Sequence, residues 1–189
     1  AYDIDGSGQI MNSGETSSTI KIKQVMKSLE IAIDKTTLST EEQISFTILA
    51  YDQANDYVSI ETMVTISDSQ GKEIQKSVVK SSETSTFTTQ KNSPPGNWKI
   101  SSITGEFKTE KEFYIEESKE VSFKLENNTL IVINEGNVVY DGFVEVKIGN
   151  ETEVKEIENL PVDGKTTFWL RAPDGNYQIE VLEGGISIP

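Results

Sequence analysis

The sequence contains no cysteine and no histidine, and Arg171 is its single arginine. The first two absences exclude thiol nucleophiles, Ser-His-Asp triads, zinc sites built on His or Cys, and iron–sulfur clusters. They also remove disulfides, so packing must hold the fold, and cysteine usage leaves the compartment open. Long apolar runs are missing as well. No stretch approaches the roughly 20 residues of a membrane span, so no membrane insertion is expected within this segment. Positive charge is scarce: 17 Lys and Arg stand against 31 Asp and Glu, a formal charge of -14 over 189 residues. Nucleic-acid affinity comes mostly from cations that neutralise phosphates, so this balance argues against a DNA or RNA partner.

What is present is alternation with a period of two, the mark of half-buried strands. Ile20 and Ile22 alternate with lysines, and Leu29, Ile31 and Ile33 alternate with smaller or polar residues. The same holds for Ile44/Phe46/Ile48/Ala50, Val121/Phe123/Leu125, Val144/Val146/Ile148 and Tyr177/Ile179/Val181. Turn residues separate these runs: Ser69-Gln70-Gly71, Pro94-Pro95-Gly96, Asn134-Glu135-Gly136, Asp163-Gly164 and Pro173-Asp174-Gly175. Short β-branched strands with turns at such intervals predict sandwiches. Residues 24–33 also carry a helical stripe, but their β-branched tail favours strand. Ser39 is placed to cap a short helical turn over 39–42, although an ordinary sandwich loop explains the same residues.

An internal repeat divides the chain. Pro95-Gly96-Asn97-Trp98-Lys99-Ile100 recurs as Asp174-Gly175-Asn176-Tyr177-Gln178-Ile179, each a turn feeding a late strand whose aromatic is expected to plug a core. Trp98 and Trp169 are both expected inside, with one of Phe168 and Trp169 facing outward. The expected architecture is all-β: two tandem immunoglobulin-like β-sandwich domains, 28–117 and 118–189, with an extra N-terminal strand or hairpin over 1–27. Residues 116–120 read as a short, straight linker.

The stretches Ile44-Ser45-Phe46-Thr47-Ile48-Leu49-Ala50-Tyr51-Asp52, Val64-Thr65-Ile66-Ser67-Asp68-Ser69-Gln70-Gly71-Lys72 and Pro94-Pro95-Gly96-Asn97-Trp98-Lys99-Ile100 resemble macroglobulin-like and related immunoglobulin-like repeats of bacterial and archaeal cell-surface proteins. Asn134-Glu135-Gly136-Asn137 and Leu160-Pro161-Val162-Asp163-Gly164 extend the resemblance into the second half. It covers about residues 28–189. It implies an extracellular, non-enzymatic structural, adhesive or spacer role, with no family active site to carry over. The start at Ala1 rather than Met suggests that an upstream piece was removed.

Residues 1–27 exceed what two sandwiches need. One reading is a hairpin packed on its own domain, with Asn12-Ser13-Gly14-Glu15 as the turn. The other is a donor strand, carried by Tyr2, Ile4 and Ile10, that adds to a second copy of the chain. Within this segment Asp3-Ile4-Asp5-Gly6-Ser7-Gly8-Gln9-Ile10 matches the first eight positions of an EF-hand-type loop, which makes Asp3, Asp5 and Ser7 calcium candidates. Gly14 stands where the loop needs its bidentate acid, so a glycine-bearing acidic strand explains the same residues. Tyr51 and Tyr57 flank a loop of acids and amides that could bind a glycan, or else they cover strand ends. Asn127 and Asn150 head glycosylation sequons near expected turns. Nothing places two acids as glycosidases require, and no nucleophile elbow or phosphate loop occurs. The functional expectation is a surface module meeting protein partners or copies of itself; a filament subunit and a carbohydrate-binding module are the alternatives.

Overall fold

The computed structural model describes residues 2–184. The chain opens with a hairpin of β1 (Tyr2–Ile4) and β2 (Ile10–Ser13). Eight strands follow: β3 (Met26–Ile33), β4 (Thr37–Leu38), β5 (Gln43–Asp52), β6 (Glu61–Ser67), β7 (Glu73–Lys80), β8 (Thr84–Thr88), β9 (Gly96–Thr104) and β10 (Phe107–Ile115). One sheet runs β3-β5-β8 and the other β4-β10-β9-β6-β7. Six more complete the chain: β11 (Val121–Glu126), β12 (Thr129–Asn134), β13 (Tyr140–Ile148), β14 (Glu151–Leu160), β15 (Lys165–Trp169) and β16 (Ile179–Gly184). They form sheets β11-β12-β15 and β14-β13-β16. The fold is all-β and immunoglobulin-like, as the alternation requires.

Each pair of sheets encloses its own core. In β5, Ile44, Phe46, Ile48 and Ala50 point inward and are buried. Leu29, Ile31, Leu38, Val64, Ile66, Phe87, Trp98, Ile100, Phe113 and Ile115 complete that cluster. Phe87, Trp98 and Phe113 form its aromatic centre, with ring centroids 5.9, 6.0 and 6.5 Å apart. The Trp98 indole donates to the Pro94 carbonyl at 2.8 Å, so its polar atom is satisfied inside. The second cluster gathers Leu130, Val132, Tyr140, Val144, Val146, Ile148, Ile157, Leu160 and Leu170. Among the described residues, neither cluster includes one before β3.

The two strand sets follow one plan. By sheet position β11, β12, β13, β14, β15 and β16 correspond to β3, β5, β6, β7, β8 and β9. Among the described residues nothing in the second set corresponds to β4 or β10. In the first set β10 pairs with β9 along nine positions, from Phe107↔Thr104 to Ile115↔Gly96. It also supplies Phe113 and Ile115 to the core.

Four expectations need correction. The hairpin turn lies at Asp5–Gln9, not at Asn12-Ser13-Gly14-Glu15, because Ser13 already pairs with Tyr2. Ile20 and Ile22 join no strand and are 77% and 74% exposed. Trp169 is 66% exposed: Phe168 lies opposite the buried Leu130, so strand alternation turns its neighbour outward. Tyr177, the repeat's second aromatic, precedes β16 and is 41% exposed. Trp98 is enclosed by Phe87 and Phe113, whereas Tyr177 lies against Gly149 and Gly175.

Trp98→Ala should therefore destabilise the first sandwich by about 3–5 kcal/mol. Trp169→Ala should change stability by less than about 0.5 kcal/mol. Urea denaturation followed by circular dichroism measures both, and equal losses would contradict the packing.

Candidate functional site

The most elaborate polar arrangement lies where the two sandwiches meet. It is built on Asn134-Glu135-Gly136-Asn137, the turn after β12. Asn137 is 4% exposed, and every polar atom of its amide is used. Its Nδ2 donates to the Ser93 carbonyl at 3.0 Å and to the Glu116 carbonyl at 2.9 Å. Its Oδ1 accepts the Ser118 N–H at 2.7 Å. One side chain thus ties the β8–β9 loop, the connecting segment and its own turn together. The Glu135 and Gly136 N–H groups donate to the Glu120 carbonyl at 2.8 and 3.1 Å, and the Asn137 N–H donates to Ser118. The connection over 116–120 is therefore a bonded strap. Asn134 holds the turn from beneath, donating to the Val138 and Leu160 carbonyls and accepting the Gly136 N–H.

Close approach explains the glycine. A Cβ on Gly136 would lie 2.1 Å from the Ser118 carbonyl oxygen. Around this centre, Asn92 donates to the Asp163 carboxylate at 3.1 Å, and Lys91 pairs with Glu135. Asn92 and Asp163 are exposed and Lys91 and Glu135 half-buried, so these outer contacts add little stability. Sequence reading found the turn and missed its partner: Ser93 sits in an ordinary loop, and only tertiary contact makes its carbonyl an acceptor.

Two of the calcium candidates, Asp5 and Ser7, meet in the hairpin turn. Asp5 Oδ1 accepts the Ser7 and Gln9 N–H groups, both at 2.9 Å, and the Ser7 hydroxyl at 2.6 Å. The same pattern recurs twice. Asp52 Oδ1 accepts from the N–H groups of Ala54 and Asp56, and Asp68 Oδ1 from those of Gln70 and Lys72. In each loop the fourth residue is left-handed: Gly8 at φ 82°, Asn55 at φ 65° and Gly71 at φ 82°. An aspartate at or just past a strand end accepts the amides two and four residues on, and glycine or asparagine takes the left-handed position. These bonds hold the Asp5 and Asp52 carboxyls below their ordinary values, in each case chiefly through hydrogen bonding. Asp3 is exposed on β1 and makes none of these bonds. Among the described residues no three acids gather to hold a metal ion.

Tyr51 and Tyr57 come together, with ring centroids 5.2 Å apart at 31°. Tyr57 is 62% exposed, and Tyr51 lies against it, so the pair offers a narrower surface than two free rings. Between them Gln53 reaches back to the N-terminal segment. It donates to the Lys23 carbonyl at 2.9 Å and accepts the Val25 N–H at 2.8 Å. Asn127 and Asn150 are exposed at the β11–β12 and β13–β14 hairpin tips. Of the assembly candidates, Tyr2 and Ile4 pair with β2, and Ile10 pairs with Ile4. Ile4 and Ile10 are more than half exposed, so neither is buried in a core.

No protein-family model and no curated protein matches the chain. Among solved structures it is similar to trypsin-activated alpha-2-macroglobulin from Escherichia coli, at 12% identity and a TM-score of 0.45, covering 85% of this chain and 15% of that one. It is likewise similar to Salmonella alpha-2-macroglobulin reacted with methylamine, at 13% identity and a TM-score of 0.43, covering 85% and 14%. A two-domain fibronectin type III segment of chicken tenascin aligns over 85% of this chain and 99% of its own, at 15% identity and a TM-score of 0.36. The chain thus spans about one seventh of the macroglobulins it resembles.

Gly136→Ala must displace the strap backbone and should lower the melting temperature more than Gly6→Ala, which meets nothing within 4 Å. Asp52→Asn tests the loop device. The folded carboxyl sits below its unfolded value, so its contribution is present above about pH 4 and fades as pH falls through the folded value. The melting-temperature difference between wild type and Asp52→Asn should shrink from pH 6 toward about pH 2. A constant difference would remove the carboxylate's role.

Proposed function

We propose that this chain is a non-enzymatic structural or adhesive module of the extracellular cell surface. In this reading residues 28–117 and 118–189 are two domains that act through protein–protein contacts. The observation that carries it is the Asn137 joint. Two sandwiches linked by a loose tether cannot transmit a defined orientation, whereas a buried amide bonded to both sides and to the strap can. A surface module that spaces or presents a binding face needs that property.

An exposed apolar row supports contact with protein. Val78, Met63 and Ile103 lie opposite one another on β7, β6 and β9. They are 64%, 44% and 46% exposed, a continuous apolar stripe on the outer face of the larger sheet. A second reading, a filament subunit joined by N-terminal strand addition, is favoured by the exposed Ile20 and Ile22. The stacking of Tyr51 on Tyr57 does not favour the carbohydrate reading over these.

Small-angle scattering tests the joint. The wild-type chain should give a narrow, elongated distance distribution. Asn137→Asp cannot donate to the Ser93 and Glu116 carbonyls, so the distribution should broaden while circular dichroism stays β-rich. A wild-type distribution as broad as the variant's would sink the rigid-spacer reading.

A further inference from the structure

Two edge strands of the molecule carry complementary patterns. β7 ends the five-stranded sheet, and β14 ends the sheet β14-β13-β16. Among the described residues no strand pairs with the outer side of either. They are 8 and 10 residues long, and the sequence on both sides of each is described. A long edge strand presents a row of unpaired N–H and C=O groups, a template for another strand. Each of these two also presents a bare valine. Val78 lies opposite Met63, faces outward and is 64% exposed. Val154 lies opposite Glu145, faces outward and is 61% exposed.

Charge decides which edge suits which. β7 holds Lys76 and Lys80 against Glu73. β14 holds Glu151, Glu153, Glu156 and Glu158 against Lys155. The β7 lysines make only exposed ion pairs, Lys76 with Glu73 at 4.0 Å and Lys80 with Glu83 at 3.3 Å, so little holds them in place. Two β7 strands side by side gather lysines, and two β14 strands gather glutamates. Like charges across strands are destabilising. One strand of each kind brings unlike charges together. Lys76 faces outward opposite Thr65, and Glu156 faces outward opposite Phe143. The antiparallel register that sets Val78 opposite Val154 also sets Lys76 opposite Glu156. A surface hollow of about 820 Å³ lies beside β14, and Asp141, Phe143, Val154 and Glu156 line it. A lysine stem covers apolar surface while its ammonium meets a carboxylate, and this lining offers both.

We propose that β7 of one copy pairs antiparallel with β14 of a second copy, Val78 against Val154 and Lys76 against Glu156. The five strands that end at β7 and the three that begin at β14 then form one continuous sheet. The exposed row Ile103–Met63–Val78 ends on Val154 instead of on water. This rests on the reading of the chain as a module acting through protein contacts, and it names one such contact. Because the two edges lie on different sandwiches, the first sandwich of one copy meets the second sandwich of another.

The test uses the full chain. Light scattering after size exclusion, across a concentration series, should show wild type associating. Lys76→Glu and Glu156→Lys should each associate about tenfold less tightly, because an attraction across strands becomes a repulsion. An equimolar mixture of the two variants should regain wild-type association, since each then meets an opposite charge. Both positions are exposed, so circular dichroism should show both variants folded. Lys80→Glu, which this register places opposite Thr152, should gain nothing from mixing with Glu156→Lys; rescue there instead overturns the antiparallel register. Oxidising a mixture of Val78→Cys and Val154→Cys chains should link the two, with no native cysteine to compete. Association that neither charge variant weakens overturns the β7–β14 pairing and leaves the protein-contact reading standing on other surfaces. A wild type that stays monomeric at millimolar concentration overturns the second copy as partner, while the scattering of Asn137→Asp decides the rigid joint separately.

Discussion

With no disulfide available, stability depends on inward apolar side chains packed between two sheets. Each strand supplies one row, and each row needs a facing sheet to exclude water. Where the facing surface is complete, large side chains vanish from solvent: Trp98, Phe46 and Phe113 are each at most 2% exposed. Along β11 and β16 the inward Val121, Phe123, Ile179 and Val181 are partly buried.

The joint follows a different rule. It gains little from hydrophobic area and relies on polar satisfaction in a buried place. Asn137 stays because three backbone groups, one in the β8–β9 loop and two in the strap, lose their partners without it. Gly136 stays because the strap passes too close for any side chain. Surface ion pairs such as Lys99–Glu110 and Lys147–Glu180 decorate the sheets without setting their arrangement.

Much of the fold was legible residue by residue. Ile44, Phe46, Ile48 and Ala50 alternate in the sequence and are the buried face of β5. The turn at Ser69-Gln70-Gly71 lies where its glycine must be left-handed. The failures share one cause. Ile20 and Ile22 carry a strand pattern, but a pattern makes a strand only when another strand lies beside it. Tyr177 repeats the Trp98 motif, but a motif buries its aromatic only when neighbours enclose it. The role of Asp5 in holding its turn shows only beside Asp52 and Asp68, which accept backbone amides in the same pattern.

The sequence by itself determined the strand class, the faces of most strands, the turn chemistry and the acidic surface, because these depend on neighbours one to four residues away. Tertiary structure decided which rows are covered and which carbonyl Asn137 reaches. Those outcomes depend on groups as far apart in the chain as Ser93 and Asn137, and no local pattern encodes whether two such groups meet.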